Sequence, residues 1–505
     1  MKKIILCSII STMFLSCDNL LTINPENAVN ADKALKTISG NVSTLMSSYA
    51  NLQVSTSYGR RMIAGVEVMA DNAKVAVSHA NLITNEGRNL AGSHCNNWTI
   101  AYTVIRNTNF VIEAIDNVPE IASTDAASKR LIKGEAYFLR GWQFFDLARV
   151  YSREPNHLIP GFEHGIILQT KAFIFNGSNI SEAESPRNTV SECYKQIISD
   201  LNMAFDLMKD VDKDNFPYRA SAVAAKALLA RVYLYQENYD EAINAATWVI
   251  NNIKSYNGGA TSITAGDYTS VFSKGTETVF GLVYKETDGL GNNSLHAVYT
   301  NTGLLDPTSD NPDWYRDEKR GSGYGDVLFS IALYNTFDPA DSRLSVFKRV
   351  IRGNNTANPE RGIWCYKFNG YNGGYGIDNI PIIRLSEMYH IRIESNLRKA
   401  AKDEMSAIND LNFMRQARNL SVVKDITGQD LINLATEERR KEFLGEGHRF
   451  FELKRMGLSI TKSPEAKAVG LTDLNWDDYR VVAKLPDSDA QPNGVNPNLI
   501  QNPGY

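Results

Sequence analysis

The sequence predicts a mostly α-helical protein in which pairs of helices support a long irregular region. Apolar residues recur at spacings of three and four in many segments, which is the period of an amphipathic helix. Residues 219–236 and 239–253 form one such pair, with small alanines at the offsets of a tetratricopeptide repeat. Residues 255–380 lack this period and are rich in glycine, asparagine and tyrosine.

Helical periodicity accounts for most of the chain outside that region. In the segment 126–151, Trp142 and Phe145 lie on the apolar face. Trp98 begins another periodic segment, and we interpret it as a packing residue. The segments 95–151 and 384–418 are candidates for further helix pairs. The predicted helices cover residues 32–51, 95–118, 126–151, 189–210, 219–236, 239–253, 384–398, 403–418 and 429–456.

The irregular region is predicted to contain only short β-strands. Alternating runs at residues 278–284 and 364–368 indicate two of them. A stretch this long without helices is usually functional or a separate lobe. Within residues 32–505 we predict a helical scaffold (about 32–254 and 381–460), an irregular lobe (about 255–380) and an extended C-terminal segment (about 461–505).

The first residues predict export and lipid attachment. Lys2 and Lys3 precede an apolar run at 4–15, which is shorter than a membrane span of about 20 residues and typical of a signal peptide. The run ends in FLSC at 14–17, which is similar to the cleavage motif of bacterial lipoproteins, although an ordinary signal peptide is the alternative. The predicted order is a signal peptide at 1–16, a lipidated Cys17 and an extended tether at 17–31.

Composition and motifs weigh against several classes of protein. The 505 residues carry a formal charge of −4, whereas binding to nucleic acid rests on basic side chains. Cys95, Cys193 and Cys365 form no C-x-x-C motif, and we interpret them as buried thiols. The histidines show no close metal spacing, and neither a G-x-S-x-G elbow nor a P-loop is present. We therefore predict no enzyme activity, no cofactor and no metal site.

Two charged runs could be taken for paired catalytic carboxylates, but we interpret both as structural. In the run 437–442 and its continuation, Arg439, Arg440 and Arg449 are predicted to pair with Glu442 and Glu446. The same interpretation applies to four residues of the segment 126–151, which are Glu135, Arg140, Asp146 and Arg149.

Three stretches resemble the SusD/RagB family of nutrient-binding lipoproteins of Bacteroidetes-type bacteria. Residues 133–151 (KGEAYFLRGWQFFDLARVY) are similar to its GEA-x-FLRA-x-x-YFDL helix, with Gly141 in place of the usual alanine. Residues 383–389 (IRLSEMY) resemble its RLAE-x-Y helix start. Residues 438–455 resemble its ERR-x-E-x-x-x-EG-x-R-x-x-DL-x-R signature, with Glu452 in place of aspartate, and the terminal QNPGY also agrees.

The resemblance implies a single domain at 32–505 with a SusD-like fold, in which four tetratricopeptide-like helix pairs support irregular loops that form the ligand face. It implies a SusC-like TonB-dependent transporter as partner and an outer-membrane location, lipid-anchored and facing the cell exterior. Members bind oligosaccharides or, in some cases, peptides. Glycan binding is our leading hypothesis, and no nucleic-acid partner is expected.

Three alternatives stay open at this point. The same architecture could bind peptides. A surface glycoside hydrolase or esterase would need two opposed carboxylates about 5–10 Å apart in a cleft, which a sequence does not show. A tetratricopeptide scaffold that binds only proteins would use its concave helical surface instead of the irregular loops.

The ligand site is predicted on the loops of 71–97 and 296–375. Aromatic rings there suit the apolar face of a sugar, and polar side chains replace the water that is stripped from its hydroxyls. Trp364 and Tyr366 lie on a predicted strand and are assigned to the core. The candidate stacking residues are Trp314, Tyr315, Tyr324, Tyr299, Tyr371 and Tyr375. The candidate hydrogen-bonding residues are Asn85, Arg88 and Asn97.

Overall fold

The computed structural model describes most of the chain after residue 33. The predicted signal peptide, Cys17 and the predicted tether at 17–31 all lie outside the described residues. The described ranges are 34–77, 80, 82–92, 94–172, 186–211, 216–256, 262–300, 323–352, 360–486 and 500–505.

Helices dominate the described chain, as the sequence predicts. The longer ones, α1 to α10, are Ile38–Gln53, Trp98–Ala114, Asp125–Tyr151, Val190–Met208, Ala222–Tyr235, Tyr239–Asn252, Leu385–Arg398, Glu404–Ala417, Gly428–Glu442 and Arg449–Arg455. Short helices cover Val66–Met69, Thr84–Gly87, Ser270–Ser273, Leu295–Tyr299, Ile331–Tyr334 and Pro464–Lys467.

The helices α1 to α8 pack in chain order, so that each contacts the next. Taken in sequence, they form four helix pairs within the described residues, which confirms the predicted fold class. Their starts are fixed locally by side-chain caps. Thr189 and Glu192 form a reciprocal capping box at α4, and the Ser221 hydroxyl accepts a hydrogen bond from the Ala224 N–H at α5.

Two glycines let α3 and α4 approach closely. A Cβ atom on Gly134 would lie 2.5 Å from Met208 Cγ, and one on Gly141 would lie 3.1 Å from Asp200 Cβ. Gly141 is the position that departs from the family pattern, and the tight contact with α4 explains a residue without a side chain there. Across the same contact, Arg140 donates to both carboxylate oxygens of Asp200 at 2.8 and 2.6 Å.

The strands form two small antiparallel sheets, which lie mainly in the irregular lobe and include one strand from the 71–97 loop. The predicted run at 278–284 is the strand Thr278–Leu282, and the run at 364–368 contributes only the end of Glu360–Cys365. Trp364 and Tyr366 are buried, as predicted. In chain order, β1 to β6 are Ala73–Val75, Thr278–Leu282, Val327–Phe329, Phe347–Arg352, Glu360–Cys365 and Ile380–Arg384, arranged as β1-β3-β5-β4 and β2-β6.

The single helix predicted for 429–456 is wrong, because the structure divides it into α9 and α10. Gly445 and Gly447 separate the two with φ angles of +84° and +76°, which a helix does not contain. Both glycines lie against other parts of the chain. A Cβ atom on Gly445 would lie 2.9 Å from Cys365 Sγ, and one on Gly447 would lie 2.8 Å from Ile63 Cα.

A buried ion cluster joins α9 to the lobe and to the scaffold. Arg384 and Arg418 each donate to Glu277 and Glu442 at 2.8–3.1 Å, and all four side chains are at most 1% exposed. The cluster balances five carboxylates against five cations in the described chain, namely Glu277, Asp341, Glu438, Glu442 and Glu446 with Arg343, Lys367, Arg384, Arg415 and Arg418.

The structural interpretation of the charged runs therefore holds, but the predicted partners in 437–455 are wrong. Arg439 pairs with Glu452, and Arg449 pairs with Asp71 at 2.8 Å. Arg440 donates to Asn72 Oδ1 at 2.7 Å and lies 3.3 Å from Asp71. The cluster partners come from distant segments, which spacing within one motif does not reveal. Glu135 pairs with Arg219, and Asp146 pairs with Arg149.

We expect Glu442→Gln to lower the free energy of unfolding by about 3–5 kcal/mol, because it leaves Arg384 and Arg418 partly uncompensated in the interior. Urea denaturation followed by circular dichroism measures this change. The matched control is Glu437→Gln on the same helix. The Glu437 side chain is 45% exposed and lies 3.7 Å from Arg440, so its loss is expected to cost less than about 1 kcal/mol. Equal effects of the two substitutions would contradict the role assigned to the cluster.

The stability also depends on pH in a defined direction. Burial alone would raise the pKa of Glu442, but Arg418 and Arg384 hold it well below its ordinary value. The stabilisation is therefore complete above the ordinary carboxyl range and is lost as the pH falls through the lowered pKa. Below pH 4.5, we expect Glu442→Gln to lose stability less steeply than the parent.

Candidate functional site

Two of the regions predicted for ligand binding meet at one edge of the four-stranded sheet. β1 pairs with β3 in an antiparallel register, and the pairing continues beyond β1, where the Ala76 N–H donates to Asp326 O at 2.8 Å. The Ala80 N–H then donates to the Asp326 carboxylate at 3.1 Å. The start of the 71–97 loop is thus hydrogen-bonded to the segment around Asp326, which belongs to the 296–375 region.

The backbone forms a narrow stem, residues 297–300 and 323–325, beside this edge. Ala297 O accepts hydrogen bonds from the N–H groups of Tyr324 at 2.6 Å and Gly325 at 3.0 Å. A Cβ atom on Gly323 would lie 2.1 Å from Thr300 O, so a larger residue would force the two sides of the stem apart. Residues 300 and 323, between which the chain is not described, therefore lie next to each other.

A tyrosine cluster (Tyr324, Tyr375, His296 and Asn292) lies at the stem. Tyr324 and Tyr375 are half-buried neighbours, and the Tyr375 ring centre is 4.9 Å from the His296 ring. Tyr375 Oη donates to Asn292 Oδ1 at 2.9 Å. Burial, with a smaller effect of Tyr324, raises the pKa of Tyr375 to about 12. This phenol is therefore neutral at physiological pH and offers an aromatic face together with a polar edge.

A glycine-rich turn, residues 369–378, carries Tyr375 and is held from within. The Asp378 carboxylate accepts hydrogen bonds from the N–H groups of Asn369, Gly370 and Tyr371 at 2.9–3.1 Å. Gly376 has a φ angle of +74°, and a Cβ atom there would lie 2.8 Å from Ser294 Oγ. The turn is therefore fixed against the segment that contains Asn292 and His296.

The structure corrects two of the candidate ligand residues, Tyr299 and Asn97. Tyr299 is 0% exposed, packs 5.5 Å from the Phe329 ring and donates its hydroxyl to Gly445 O at 3.1 Å. Asn97 is 2% exposed at the start of α2. Neither side chain presents a surface to a ligand, because the short helix Leu295–Tyr299 and α2 turn them inward.

The other candidates occupy different surroundings. Tyr371 is half-buried and donates its hydroxyl to Tyr366 O at 2.9 Å. Asn85 and Arg88 are exposed at the helix Thr84–Gly87, where Arg88 lines a cavity of about 170 Å³ among mainly apolar residues. Their roles stay predictions. Trp314 and Tyr315, the remaining candidates, lie outside the described residues.

Three members of the arrangement were missed by the sequence analysis. Asn292, His296 and Asp378 belong to no motif, and their contacts depend on chain segments 80 or more residues apart or on a turn whose shape the sequence does not state. The glycines at 370, 373, 374 and 376 were the one available signal, since such a run indicates a tight turn.

The comparisons with known proteins agree with this architecture. A family model described as "Starch-binding associating with outer membrane" matches residues 21–234, and a SusD family model matches residues 346–505. The chain belongs to the SusD/RagB family.

Relatives of this SusD/RagB protein resemble it along nearly their whole length. A SusD-like protein of Formosa agariphila is 25% identical over 88% of this chain and 89% of its own. The crystal structure of a SusD superfamily protein from Bacteroides thetaiotaomicron is 26% identical, with a TM-score of 0.76 over 92% of this chain and 100% of its own. A laminarin-binding SusD-like protein is 19% identical, with a TM-score of 0.66 over 92% and 99%.

Two features are absent from the described part of this SusD/RagB protein. Within it, no group of three or more His, Cys, Asp or Glu side chains is arranged to hold a metal ion. No helix there combines the length and the apolar character that crossing a bilayer requires. The three thiols predicted to be buried, Cys95, Cys193 and Cys365, are buried and unbridged.

We expect Asp378→Ala to loosen the glycine-rich turn, since three backbone N–H groups lose their acceptor. Such a loss costs about 1–3 kcal/mol for a buried group, and amide hydrogen exchange of residues 369–371 should become faster. The matched control is Asp288→Ala, because the exposed Asp288 carboxylate accepts only from nearby groups such as the Lys285 N–H at 3.1 Å. Unchanged exchange at 369–371 in Asp378→Ala would contradict the assigned role.

Proposed function

We propose that this protein is a cell-surface lipoprotein that binds a nutrient oligosaccharide and delivers it to a TonB-dependent outer-membrane transporter. The observation that carries the proposal is the tyrosine cluster, in which two half-buried tyrosines flank the stem of the irregular lobe. The helix pairs supply the rigid support, and the loops supply the contacts, which is a common division in binding proteins.

The chemistry of the cluster suits a sugar ring. The apolar C–H face of a pyranose packs against an aromatic ring, while its hydroxyls need hydrogen-bonding partners. Tyr375 offers its ring beside the amide of Asn292, and Tyr324 adds a second ring. Trp314 and Tyr315 belong to the stretch that leaves from this stem, and we propose them as further stacking residues.

The relatives support a glycan in preference to a peptide. One family model is described as starch-binding, and one structural neighbour is described as laminarin-binding. Those descriptions concern other proteins, and we extend to this chain only the class of ligand. Polysaccharides of glucose are therefore the first ligands to test.

The proposal includes anchoring, delivery and the absence of turnover. Cys17 would carry the lipid, and the following tether would let the folded domain reach the transporter. The carboxylates of the charged runs are engaged in ion pairs, as Glu442 is with Arg384 and Arg418. We propose that the ligand is released unchanged, since these carboxylates are occupied by structural contacts.

We expect Tyr324→Ala and Tyr375→Ala each to weaken glycan binding by about 1–3 kcal/mol, or about 5- to 150-fold, because each removes one stacking ring. Calorimetry with a panel of soluble polysaccharides that includes starch and laminarin identifies the ligand and measures the change. The matched control is Tyr389→Ala, which removes a half-buried tyrosine from α7, where its ring packs against Phe413 at 4.9 Å.

The outcomes separate the possible explanations. If both cluster variants fold and bind like the parent, the site assignment is wrong. If the parent binds no polysaccharide and instead binds a peptide mixture, the glycan class is wrong. Cleavage of a bound polysaccharide, abolished by a single carboxylate substitution, would overturn the non-enzymatic assignment. Trp314→Ala is measured in the same way and tests the proposed stacking role of that residue.

We expect Cys17→Ala to abolish lipid attachment, because the thioether bond requires the cysteine sulfur. Metabolic labelling with a fatty acid measures attachment, and gentle detergent extraction measures recovery of the transporter with the protein. The control is Cys95→Ala, since Cys95 is buried in the domain. Label that persists in Cys17→Ala would exclude Cys17 as the attachment site, and recovery of the parent without any TonB-dependent protein would contradict delivery.

A further inference from the structure

The C-terminal residues form one wall of a second pocket. Residues 502–504 line a cavity of about 270 Å³ together with Arg153, Phe162, Asp477 and Tyr479. We call it the C-terminal pocket. It shares no lining residue with the tyrosine cluster, and its volume lies just below the range of about 300–1,000 Å³ that is typical of pockets for small molecules.

Two aromatic side chains, Tyr479 and Phe162, line the C-terminal pocket. Tyr479 is 38% exposed, and the Tyr505 ring contacts it edge-on at 5.2 Å. A Cβ atom on Gly504 would lie 2.4 Å from the Tyr479 ring, and Gly504 has a φ angle of +94°. The terminal residues thus hold the Tyr479 ring in place. Phe162 is half-buried, and the Arg187 guanidinium lies 5.4 Å from its ring.

Arg153 supplies unused hydrogen-bond donors in the pocket wall. Arg153 is only 9% exposed. Its guanidinium donates to the backbone oxygens of Trp476, Asp477 and Asp478 at 2.8–3.1 Å. A guanidinium has five N–H groups. Among the described residues, the Arg153 Nε–H has no partner, although the group lies against a cavity.

The surroundings of the pocket carry an excess of positive charge. Arg187 is also buried and donates only to backbone oxygens among the described residues, those of Tyr151, His164, Gly165 and Ile500. Burial lowers the pKa of Arg187 to about 10 and also lowers that of Arg153. Asp477 and Asp478 both act on Arg153, but Asp478 also pairs with Arg480 at 2.7 Å, and Arg187 donates to no carboxylate among the described residues.

We propose that the C-terminal pocket is a second saccharide site that takes one carboxylate-bearing sugar residue, a uronate. The sugar ring packs against Tyr479 and Phe162, and its carboxylate accepts from the free donors of Arg153. A negative ligand compensates the buried guanidiniums, which a neutral sugar does not do. The proposal adds a site to the proposed function, and its test does not require that the tyrosine cluster binds anything.

The test uses ligand-observed NMR on the full mature domain with methyl β-glucuronide as the probe. Methyl β-glucoside is the matched neutral sugar, and acetate is the carboxylate without a ring. We expect the glucuronide to bind at least about tenfold more tightly than either of them, since both the ring and the charge contribute. Equal binding of glucuronide and glucoside, or of glucuronide and acetate, overturns the proposal.

Two variants sharpen the test. Tyr479→Ala is expected to weaken glucuronide binding about tenfold, which is the loss of one stacked aromatic ring. Asp477→Asn is expected to strengthen it about 1.5- to 5-fold at low salt, the range for one exposed charge pair, because a repelling carboxylate is removed. The Asp477 side chain is exposed, and its carboxylate accepts no hydrogen bond within the described chain, so this variant leaves the fold intact. Weaker binding by Asp477→Asn contradicts the proposed charge arrangement.

A third variant separates this site from the first. Tyr324→Ala is expected to leave glucuronide binding unchanged, whereas Tyr479→Ala is expected to leave polysaccharide binding at the tyrosine cluster unchanged. If Tyr324→Ala abolishes glucuronide binding, the probe occupies the tyrosine cluster and the second site is rejected. Failure of polysaccharide binding alone, with glucuronide binding intact, rejects the proposed function and not this inference.

Discussion

Glu442 lies where three parts of the chain meet, and its carboxylate pairs with Arg384 at the end of β6 and Arg418 at the end of α8. Burying an ion costs several kcal/mol unless its partners compensate it. Each member of the cluster therefore requires the others, and the segments that carry them are held in one arrangement. The charged motif near the end of the chain is the centre of this cluster.

The buried ion cluster around Glu442 also positions the candidate ligand site through a short series of contacts. Three residues after Glu442, Gly445 turns the backbone so that its oxygen accepts the Tyr299 hydroxyl at 3.1 Å. Tyr299 ends the short helix whose Ala297 oxygen closes the stem. The tyrosine cluster is thus connected to the interior by a buried hydroxyl and a backbone carbonyl.

The sequence was sufficient for features that depend on local periodicity. The helix pair α5/α6 and the bounds of α3 follow from apolar spacing, because burial of one helical face imposes that spacing. The division of 429–456 was missed, because glycines 445 and 447 are required by contacts with Cys365 and Ile63, which come from distant segments. The predicted ion partners were wrong for the same reason. Arg449, for example, pairs with Asp71, which comes from a distant segment.

The site was predictable only as a region. Aromatic side chains in an irregular lobe indicate a ligand face, but the same composition fits a core, and the choice depends on which way the backbone turns. Tyr299 and Tyr375 illustrate this point, since one is fully buried and the other half-buried. Asn292 and His296 acquire a role only because the turn at Gly376 folds back onto them.

The stem has a consequence for how such a protein changes over evolutionary time. Its two sides are joined to each other by hydrogen bonds to a single carbonyl, that of Ala297, and Gly323 fits only because it has no side chain. Once the ends of a segment are joined, lengthening it costs little, about 0.6 kcal/mol for each doubling. On this entropic argument, a longer sequence between residues 300 and 323 costs the folded protein little. Under the proposed function, in which Trp314 and Tyr315 stack against the ligand, such changes would alter the ligand preference.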